Sequence, residues 1–204
     1  MDTWRIFMDE KRFTLGVDLD GVCADFYGKM REIAAEWLGV PLESLTSDIS
    51  YGLPEWNLEK LGGYEDLHRF AVTQRNLFKV LEPIDNAPQV LRKLSNNDIR
   101  IRIITHRLFI KYFHQKAIQQ TIEWLDYYDI PYWDLCFMKD KGAVGADIYI
   151  DDAPGNVIKL RGSGHNTIVF SNSTNREIVP PRADSWDDVE RLVLENYEVW
   201  KKMQ

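Results

Sequence analysis

Short apolar segments alternate with amphipathic ones along this chain, and that alternation constrains the fold more than any other feature. The apolar segments are rich in β-branched and aromatic residues and have the length of strands; they cover residues 12–20, 99–106, 133–138, 146–152 and 166–170. The segments with apolar residues at helical spacing cover residues 24–39, 87–97, 113–128 and 185–203. Strands that alternate with helices predict a parallel sheet covered on both faces. We therefore expect an α/β fold with a three-layer, doubly wound parallel sheet.

One long segment interrupts the alternation. Residues 40–80 contain no good strand, and several prolines and glycines divide them into short helical pieces. A stretch of this length is too long for a plain loop. We expect a small helical cap inserted after the first strand, with residues 27–80 as the cap and residues 1–26 and 81–204 as the core.

The composition narrows the classes of partner. The 204 residues carry a formal net charge of −7, which does not suit a protein that binds a nucleic-acid polymer through its phosphates. The sequence has no apolar run of roughly 18 residues, so we expect no membrane partner. The first 13 residues contain neither the apolar core nor the cleavage site of a secretory signal. We expect a cytoplasmic protein.

Residues with acidic, basic or hydroxyl side chains lie at the carboxyl ends of the first four predicted strands. They are Asp18 and Asp20 at the first, Thr105 at the second, Lys141 after the third, and Asp151 with Asp152 at the fourth. Carboxyl ends of parallel strands share one edge of the sheet, which is where such folds bind ligands. We therefore expect these side chains to form one site.

The chemistry of that set points to a phosphoryl group and a cation. Two carboxylates 4 Å apart repel by about 4 kcal/mol at an effective dielectric constant near 20, so an ionised cluster needs a cation. Oxygen ligands alone favour Mg²⁺, and a lysine and a hydroxyl beside it suit phosphoryl oxygens. A carboxylate there can act as the nucleophile. Taken one at a time, the same residues also fit an acidic turn, a strand threonine, a surface lysine and a helix cap.

The same motifs resemble the haloacid dehalogenase (HAD) superfamily of aspartate-nucleophile phosphohydrolases. Within it, the chain is similar to the 5'(3')-deoxyribonucleotidase branch, also called C-type 5'-nucleotidases. The stretches VDLDGVCADF (17–26), NLFKVLEPIDNAPQVL (76–91) and KDKGAVGADIYIDDAP (139–154) carry this likeness, which runs from about residue 14 to residue 188. The resemblance implies a HAD-like Rossmannoid core.

The resemblance also implies roles for the residues at the strand ends. Asp18 would attack phosphorus, and Asp20 would protonate the leaving oxygen and then deprotonate the hydrolytic water. Mg²⁺ would be held by Asp18, the Asp20 main-chain carbonyl and Asp152, with Asp151 close by or bound through water. The phosphoryl oxygens would contact Thr105 and Lys141, and Lys141 would also orient the nucleophile. Gly21 would let the main chain approach the phosphate.

Five further residues are candidates for contacts with the phosphate or with the rest of the substrate. By the resemblance, Phe26 would lie near the base of a nucleotide, although it could equally belong to the core of the first helix. Tyr51 and Trp56 fall near further aromatic residues of the family's substrate site, or belong to the cap interior. His106 and Arg107 stand where the family commonly has Ser-Pro. We expect this pair to influence phosphate and substrate binding, with solvent exposure as the alternative for His106.

The favoured function is a Mg²⁺-dependent phosphomonoester hydrolase that works through an aspartyl-phosphate, most specifically a 5'(3')-deoxyribonucleotidase acting on (deoxy)nucleoside monophosphates. The alternatives are a HAD phosphatase for another small phosphomonoester, such as a sugar phosphate, and a non-catalytic phosphate-binding or phosphoacceptor module. The expected partner is a small phosphomonoester, and we allow for a homodimer. The first dozen residues would form an extra edge strand or pack on the surface.

Overall fold

A single parallel sheet organises the molecule. The computed structural model describes residues 11–109, 111 and 113–204. The six strands are β1 (Thr14–Val17), β2 (Arg100–Thr105), β3 (Asp134–Phe137), β4 (Ile148–Asp151), β5 (Thr167–Phe170) and β6 (Arg182–Ala183). Their order across the sheet is β3-β2-β1-β4-β5-β6, and every pair is parallel. The predicted α/β class and parallel sheet are confirmed.

Both faces of the sheet are covered. Every residue of β1, β4 and β5 is buried, although successive side chains of a strand point to opposite faces. Strand β1 lies at the centre, with Val17 opposite Ile103 of β2 on one side and Ile150 of β4 on the other. The carboxyl ends of β1, β2 and β4 therefore lie side by side.

Within the described residues, seven α-helices connect and cover the strands. They are α1 (Phe26–Leu38), α2 (Gly63–Gln74), α3 (Leu77–Val80), α4 (Ala87–Asn96), α5 (His114–Tyr127), α6 (Pro154–Gly162) and α7 (Trp186–Lys201). Asp25 caps the first turn of α1, and Gly39 ends that helix in the left-handed conformation. Ser185 caps α7, because its hydroxyl accepts a hydrogen bond from the Asp188 amide. Among the described residues, no helix is both long and apolar enough to cross a membrane.

The segment between β1 and β2 holds the predicted helical insertion. Besides α1 to α4 it contains three short 3₁₀ helices, Leu42–Ser44, Pro54–Trp56 and Leu58–Leu61. The division into a cap of 27–80 and a core of 1–26 and 81–204 stays a prediction.

Two contacts tie this insertion to the loop after β5. The Ser173 hydroxyl donates to the Ile49 carbonyl oxygen at 2.9 Å and accepts from the Ile49 amide at 3.3 Å. Arg176 forms an ion pair with Asp48 at 2.8 Å. We call these contacts the clasp. It fixes the edge of the insertion next to the carboxyl end of the sheet.

Three features lie beyond the sequence-based description. Strand β6 has two residues, too few to show a strand period. Helix α6 lacks a clean apolar stripe, since Val157 and Leu160 are buried while Ile158 is 61% exposed. An edge strand or surface packing was expected for the first dozen residues; residues 1–10 of that stretch lie outside the described residues, and residues 11 and 12 belong to no helix or strand.

Candidate active site

The acidic residues expected at the strand ends do come together. The Asp18 amide donates to the Ile150 carbonyl oxygen at 3.1 Å, which continues the β1–β4 ladder by one residue. Asp151 ends β4 and Asp152 follows it. Carboxylate oxygens of Asp18, Asp151 and Asp152 all lie within 4.8 Å of one another, and the three residues are buried. The sheet order therefore creates the cluster, because β1 and β4 are neighbours.

Burial and mutual repulsion make this cluster electrostatically unfavourable when no cation neutralises it. Burial raises the pKa of Asp18 to about 7, with Lys141 opposing the shift and Asp151 adding to it. Burial also raises the pKa of Asp152 well above its usual range, and the charges of Asp18 and Asp151 act in the same direction. An all-oxygen, buried and negatively charged donor set suits a hard divalent cation.

Lys141 is buried against two of these carboxylates. Its ammonium nitrogen lies 2.8 Å from Asp18 Oδ2 and 2.6 Å from Asp151 Oδ2. Burial alone would lower the pKa of Lys141, but the charges of Asp151 and Asp18 outweigh it and raise the pKa. The lysine is therefore a fixed cation beside the carboxylate predicted to be the nucleophile. The chain places it at the start of a 3₁₀ helix, Lys141–Val144, after β3.

Asp151 and Asp152 differ in how they are held. Asp151 accepts hydrogen bonds from Lys141, from the Ala153 amide at 3.0 Å and from the Asn156 side chain at 3.1 Å. Its carboxylate is thus largely satisfied by the protein. Asp152 Oδ2 accepts one from Asn172 Nδ2 at 2.8 Å. Asp152 has more acceptor capacity left for a cation than Asp151 has.

Gly21 makes room for Asp152. A Cβ atom on Gly21 would lie 2.3 Å from Asp152 Oδ2, and the residue has φ +80°, in the left-handed region. The turn that contains it is closed by the Cys23 and Ala24 amides, which both donate to the Leu19 carbonyl oxygen. A glycine is therefore required here both for backbone conformation and for the approach of a predicted metal ligand.

Asp20 is held by Arg107. The guanidinium group contacts Asp20 Oδ1 at 2.6 Å and Oδ2 at 3.0 Å, a bidentate ion pair. The Arg107 side chain is fully buried, donates to the Thr121 hydroxyl and stacks on the Phe78 ring at 4.3 Å. Arg107 lines the cleft, its charged group pairs with Asp20, and its expected contact with substrate stays a prediction.

The residues expected to contact phosphate lie on the same cleft. Thr105 is buried, and its hydroxyl has no hydrogen-bond partner among the described residues. That hydroxyl is available to a phosphoryl oxygen. His106 is exposed, and burial of part of its ring together with the charges of Lys139 and Lys141 lowers its pKa. Lys139 lines the cleft as well, although the sequence analysis did not single it out.

The cleft has a volume of about 500 Å³ and runs from the acidic cluster into a ring of aromatic side chains. We call that end the aromatic chamber; it is formed by Phe26, Tyr64, His68, Phe78 and Phe109. Tyr64 stacks on Phe109 with ring centroids 6.3 Å apart, and Phe26 meets Tyr27 edge to face at 5.5 Å. Tyr51 stands at the rim, 65% exposed. The chamber is suited to a flat ring.

A comparison with protein families decides the relationship. The family described as "5' nucleotidase, deoxy (Pyrimidine), cytosolic type C protein" matches residues 12–199, nearly the whole chain. The chain belongs to this family. The resemblance drawn from the sequence motifs is confirmed, and with it the expectation of a phosphatase of the 5'-nucleotidase type.

Relatives of this type C nucleotidase family member agree with the assignment. A protein of Chlorobaculum tepidum named "Putative 5'(3')-deoxyribonucleotidase" is 58% identical over 186 residues, which cover 91% of this chain and 92% of that protein. The human mitochondrial 5'(3')-deoxyribonucleotidase is 26% identical, over 88% of this chain and 81% of its own. A haloacid dehalogenase-like hydrolase of Streptococcus pneumoniae shares the fold, with a TM-score of 0.57, 12% identity, and coverage of 89% of this chain and 98% of that one.

Trp56 is the predicted substrate residue that this nucleotidase family member does not bring to the cleft. It is buried, and its indole N–H donates to the Thr46 carbonyl oxygen at 2.9 Å. Within the part of the chain that the structure describes, Trp56 is absent from the cleft lining. This indole packs inside the insertion, as the alternative interpretation had it.

Several cleft residues had no signal in the sequence. Asn156 and Asn172 hold the acidic pair but belong to a helix and a loop without a recognisable motif. Tyr64 and His68 lie on α2, where an aromatic residue at helical spacing looks like ordinary core. The charge cluster could have pointed to Asn156, because it follows Asp151-Asp152 within one helical turn of α6.

Proposed function

We propose that the protein is a Mg²⁺-dependent phosphomonoester hydrolase that cleaves (deoxy)nucleoside monophosphates through an aspartyl-phosphate on Asp18. One observation carries this proposal. A buried carboxylate at the end of the central strand lies 2.8 Å from a buried lysine and within 4.8 Å of two further carboxylates. That site opens directly into the aromatic chamber.

The residues present fit a divalent cation. Asp18 and Asp152 are the preferred side-chain ligands, because Asp151 is already occupied by Lys141, Ala153 and Asn156. The Asp20 main-chain carbonyl would complete the protein's share of the ligands. Mg²⁺ is the proposed ion because the donors are all oxygen and because Mg²⁺ commonly shares its coordination with a substrate phosphate. When bound, it would neutralise the carboxylates and polarise a phosphoryl oxygen.

The first chemical step is displacement at phosphorus. A carboxylate oxygen of Asp18 forms a bond to phosphorus while the bond between phosphorus and the sugar oxygen breaks. Asp20 gives that leaving oxygen a proton, so the nucleoside departs as a neutral alcohol. Lys141 and the free Thr105 hydroxyl stabilise the charge that grows on the phosphoryl oxygens.

The second step hydrolyses the aspartyl-phosphate. Asp20, now ionised, removes a proton from a water molecule, whose oxygen bonds to phosphorus as the bond to Asp18 breaks. The products are inorganic phosphate and the restored Asp18 carboxylate. The bidentate pairing with Arg107 orients the ionised Asp20 carboxylate, the form that removes the proton from water in this step.

The substrate class follows from the chamber. Aromatic faces at the far end of the cleft favour a planar ring over a free sugar. Relatives named as 5'(3')-deoxyribonucleotidases support the same choice. A cytosolic compartment is in line with the description of the family, whereas the human relative is mitochondrial.

The test is release of inorganic phosphate from deoxy- and ribonucleoside monophosphates and from small sugar phosphates, with Mg²⁺ or with a chelator. We expect hydrolysis of nucleotides that stops without the metal. The variant Asp18→Asn should fold normally and lose activity by about three orders of magnitude or more, because an amide oxygen is a much weaker nucleophile than a carboxylate oxygen. Activity confined to sugar phosphates would refute the nucleotide assignment. Full activity of Asp18→Asn would refute the mechanism.

A further inference from the structure

His68 is a buried polar side chain in the cleft that the proposed reaction does not use. It lies on α2, is 3% exposed and lines the aromatic chamber. Its Nδ1 atom has no hydrogen-bond partner among the described residues. A buried polar atom left without a partner costs free energy, so such an atom beside a ligand cleft indicates a partner supplied by the ligand.

The surroundings of His68 are rings. Its imidazole centroid lies 4.5 Å from that of Phe109, 5.7 Å from Phe78, 5.8 Å from Tyr64 and 6.2 Å from Phe26. None of these four rings gives Nδ1 a hydrogen bond within the described residues. The chamber therefore offers apolar faces to a planar ligand, and the unpaired His68 Nδ1 atom is a candidate partner for a polar atom at the edge of that ligand.

Burial also decides the charge of this group. Burial lowers the pKa of His68 to about 4, with the nearby Asp20 charge opposing that shift and Arg107 adding to it. The imidazole is neutral near neutral pH and therefore provides one donor and one acceptor. A neutral group suits the edge of an uncharged base better than it suits a phosphate.

The ordinary explanation is that His68 only fills the core. A core histidine normally satisfies its ring nitrogens with protein groups or water, because an unpaired buried nitrogen is destabilising. The phosphate end of the cleft has its own cation in Lys141, and Thr105 offers a hydroxyl there. Among the described residues, the rings that form the chamber carry polar atoms at His68 and at the Tyr64 hydroxyl group, and the Arg107 guanidinium stacks on the Phe78 ring.

We propose that His68 determines substrate specificity by hydrogen-bonding a polar edge atom of the heteroaromatic base of the substrate. This inference rests on the proposed function, since it needs a nucleotide in the cleft. His68 then distinguishes a nucleotide from a sugar phosphate that lacks the base. It also ranks the bases, because each base presents different polar atoms at its edge.

The test compares two classes of substrate, nucleotides and a sugar phosphate, in the same enzyme. In His68→Phe, which keeps a ring but removes the hydrogen-bonding atoms, kcat/KM is measured for the four common deoxynucleoside monophosphates and for 2-deoxyribose 5-phosphate. We expect the ratio of nucleotide to sugar-phosphate kcat/KM to fall about 3- to 10-fold, mainly through KM, as for one lost hydrogen bond. His68→Leu, with a smaller side chain, should lower the ratio at least as much and covers the case in which phenylalanine overpacks the site.

The matched control is His114→Phe, the same substitution at an exposed position of α5. That variant should keep the wild-type ratio. An unchanged ratio in both His68 variants, with nucleotides still hydrolysed, would overturn the role of His68 alone. Wild-type protein that hydrolyses the sugar phosphate but no nucleotide would overturn the proposed function and this inference together.

Discussion

Arg107 binds both carboxylate oxygens of Asp20, although 87 positions separate the two residues in the chain. The guanidinium group is itself held by Thr121 and by the face of Phe78. A rigid, planar partner of this kind fixes the plane of the carboxylate as well as its position. The proposed proton donor thus has its orientation set by a buried arginine.

Arg107→Met should therefore impair proton transfer more than binding. We expect kcat for a nucleoside monophosphate to fall about 10- to 100-fold, since general acid–base catalysis contributes factors of this size or more. The fall should be smaller in the burst phase with p-nitrophenyl phosphate, whose leaving group needs no proton. Rapid-quench measurement of nitrophenol and nucleoside release separates the two cases.

Arg75→Met is the comparison variant for that experiment, because Arg75 is an exposed arginine of the insertion that also pairs with a carboxylate, that of Glu36. This variant should release product from both substrates at the wild-type rate. Equal losses for the two leaving groups in Arg107→Met would mean that the arginine serves the fold rather than Asp20. If Arg107→Lys keeps more activity than Arg107→Met, the positive charge contributes to Asp20's role even without the bidentate geometry of the guanidinium group.

Gly21→Ala should disable the metal site through a steric effect. The added Cβ would stand 2.3 Å from Asp152 Oδ2, so the carboxylate has to move. We expect at least a 10-fold loss of activity and weaker Mg²⁺ binding, together with about 1–2 kcal/mol of backbone strain from the positive φ. Gly39→Ala carries the same kind of strain at φ +67° with nothing within 4 Å. Comparable activity of the two variants would contradict the prediction.

Asp152→Asn should raise the melting temperature relative to wild type without metal and lower it relative to wild type with metal. In a chelator, the variant should melt at a higher temperature than wild type, because one member of a mutually repelling buried cluster has lost its charge. With excess Mg²⁺, wild type should gain about 5–10 °C, which the variant should largely lack. Asp126→Asn, at an exposed site on α5, is the control. Differential scanning fluorimetry gives all of these values, and a variant that melts lower in chelator would argue against net repulsion.

Acid should destabilise the protein in part through His68. The unfolded histidine takes up a proton below about pH 6.5, whereas the folded one does so only near pH 4. The unfolded state therefore binds more protons in this window, and stability falls as pH decreases from about 6.5 to about 4, by roughly 3 kcal/mol in all. His68→Phe should lose that part of the pH dependence. Urea unfolding at about pH 7 and pH 4.5 measures it, with His114→Phe retaining the wild-type dependence.

The sequence was sufficient where local pattern and sheet geometry act together. Asp18, Lys141 and Asp151 follow recognisable strands, and a parallel sheet brings the ends of its strands to one edge, so their meeting could be predicted. The parallel α/β class followed from the same alternation. The insertion could be placed because it breaks that alternation.

Contacts between distant, patternless segments could not be predicted. Nothing in the sequence around Arg107 indicates that it turns inward to Asp20, and a cationic residue beside a phosphate site suggests a substrate contact instead. His68 occupies a core position on an amphipathic helix, so only its missing partner in three dimensions marks it. Trp56 could belong to the cleft or the interior, and only packing against Thr46 decides between them.

The clasp has a consequence for exchanging parts of this protein. Asn172, which bonds to Asp152, directly precedes Ser173, which bonds to Ile49, and Ile49 lies two residues before Tyr51 at the rim of the cleft. One short loop thus joins the segment that carries Tyr51 to the residue expected to bind the cation. A chimera that replaces residues 40–61 with those of another family member has to carry residues 172–176 along with them. Because of these contacts, the two segments form one unit for exchange, although they lie more than a hundred residues apart in the chain.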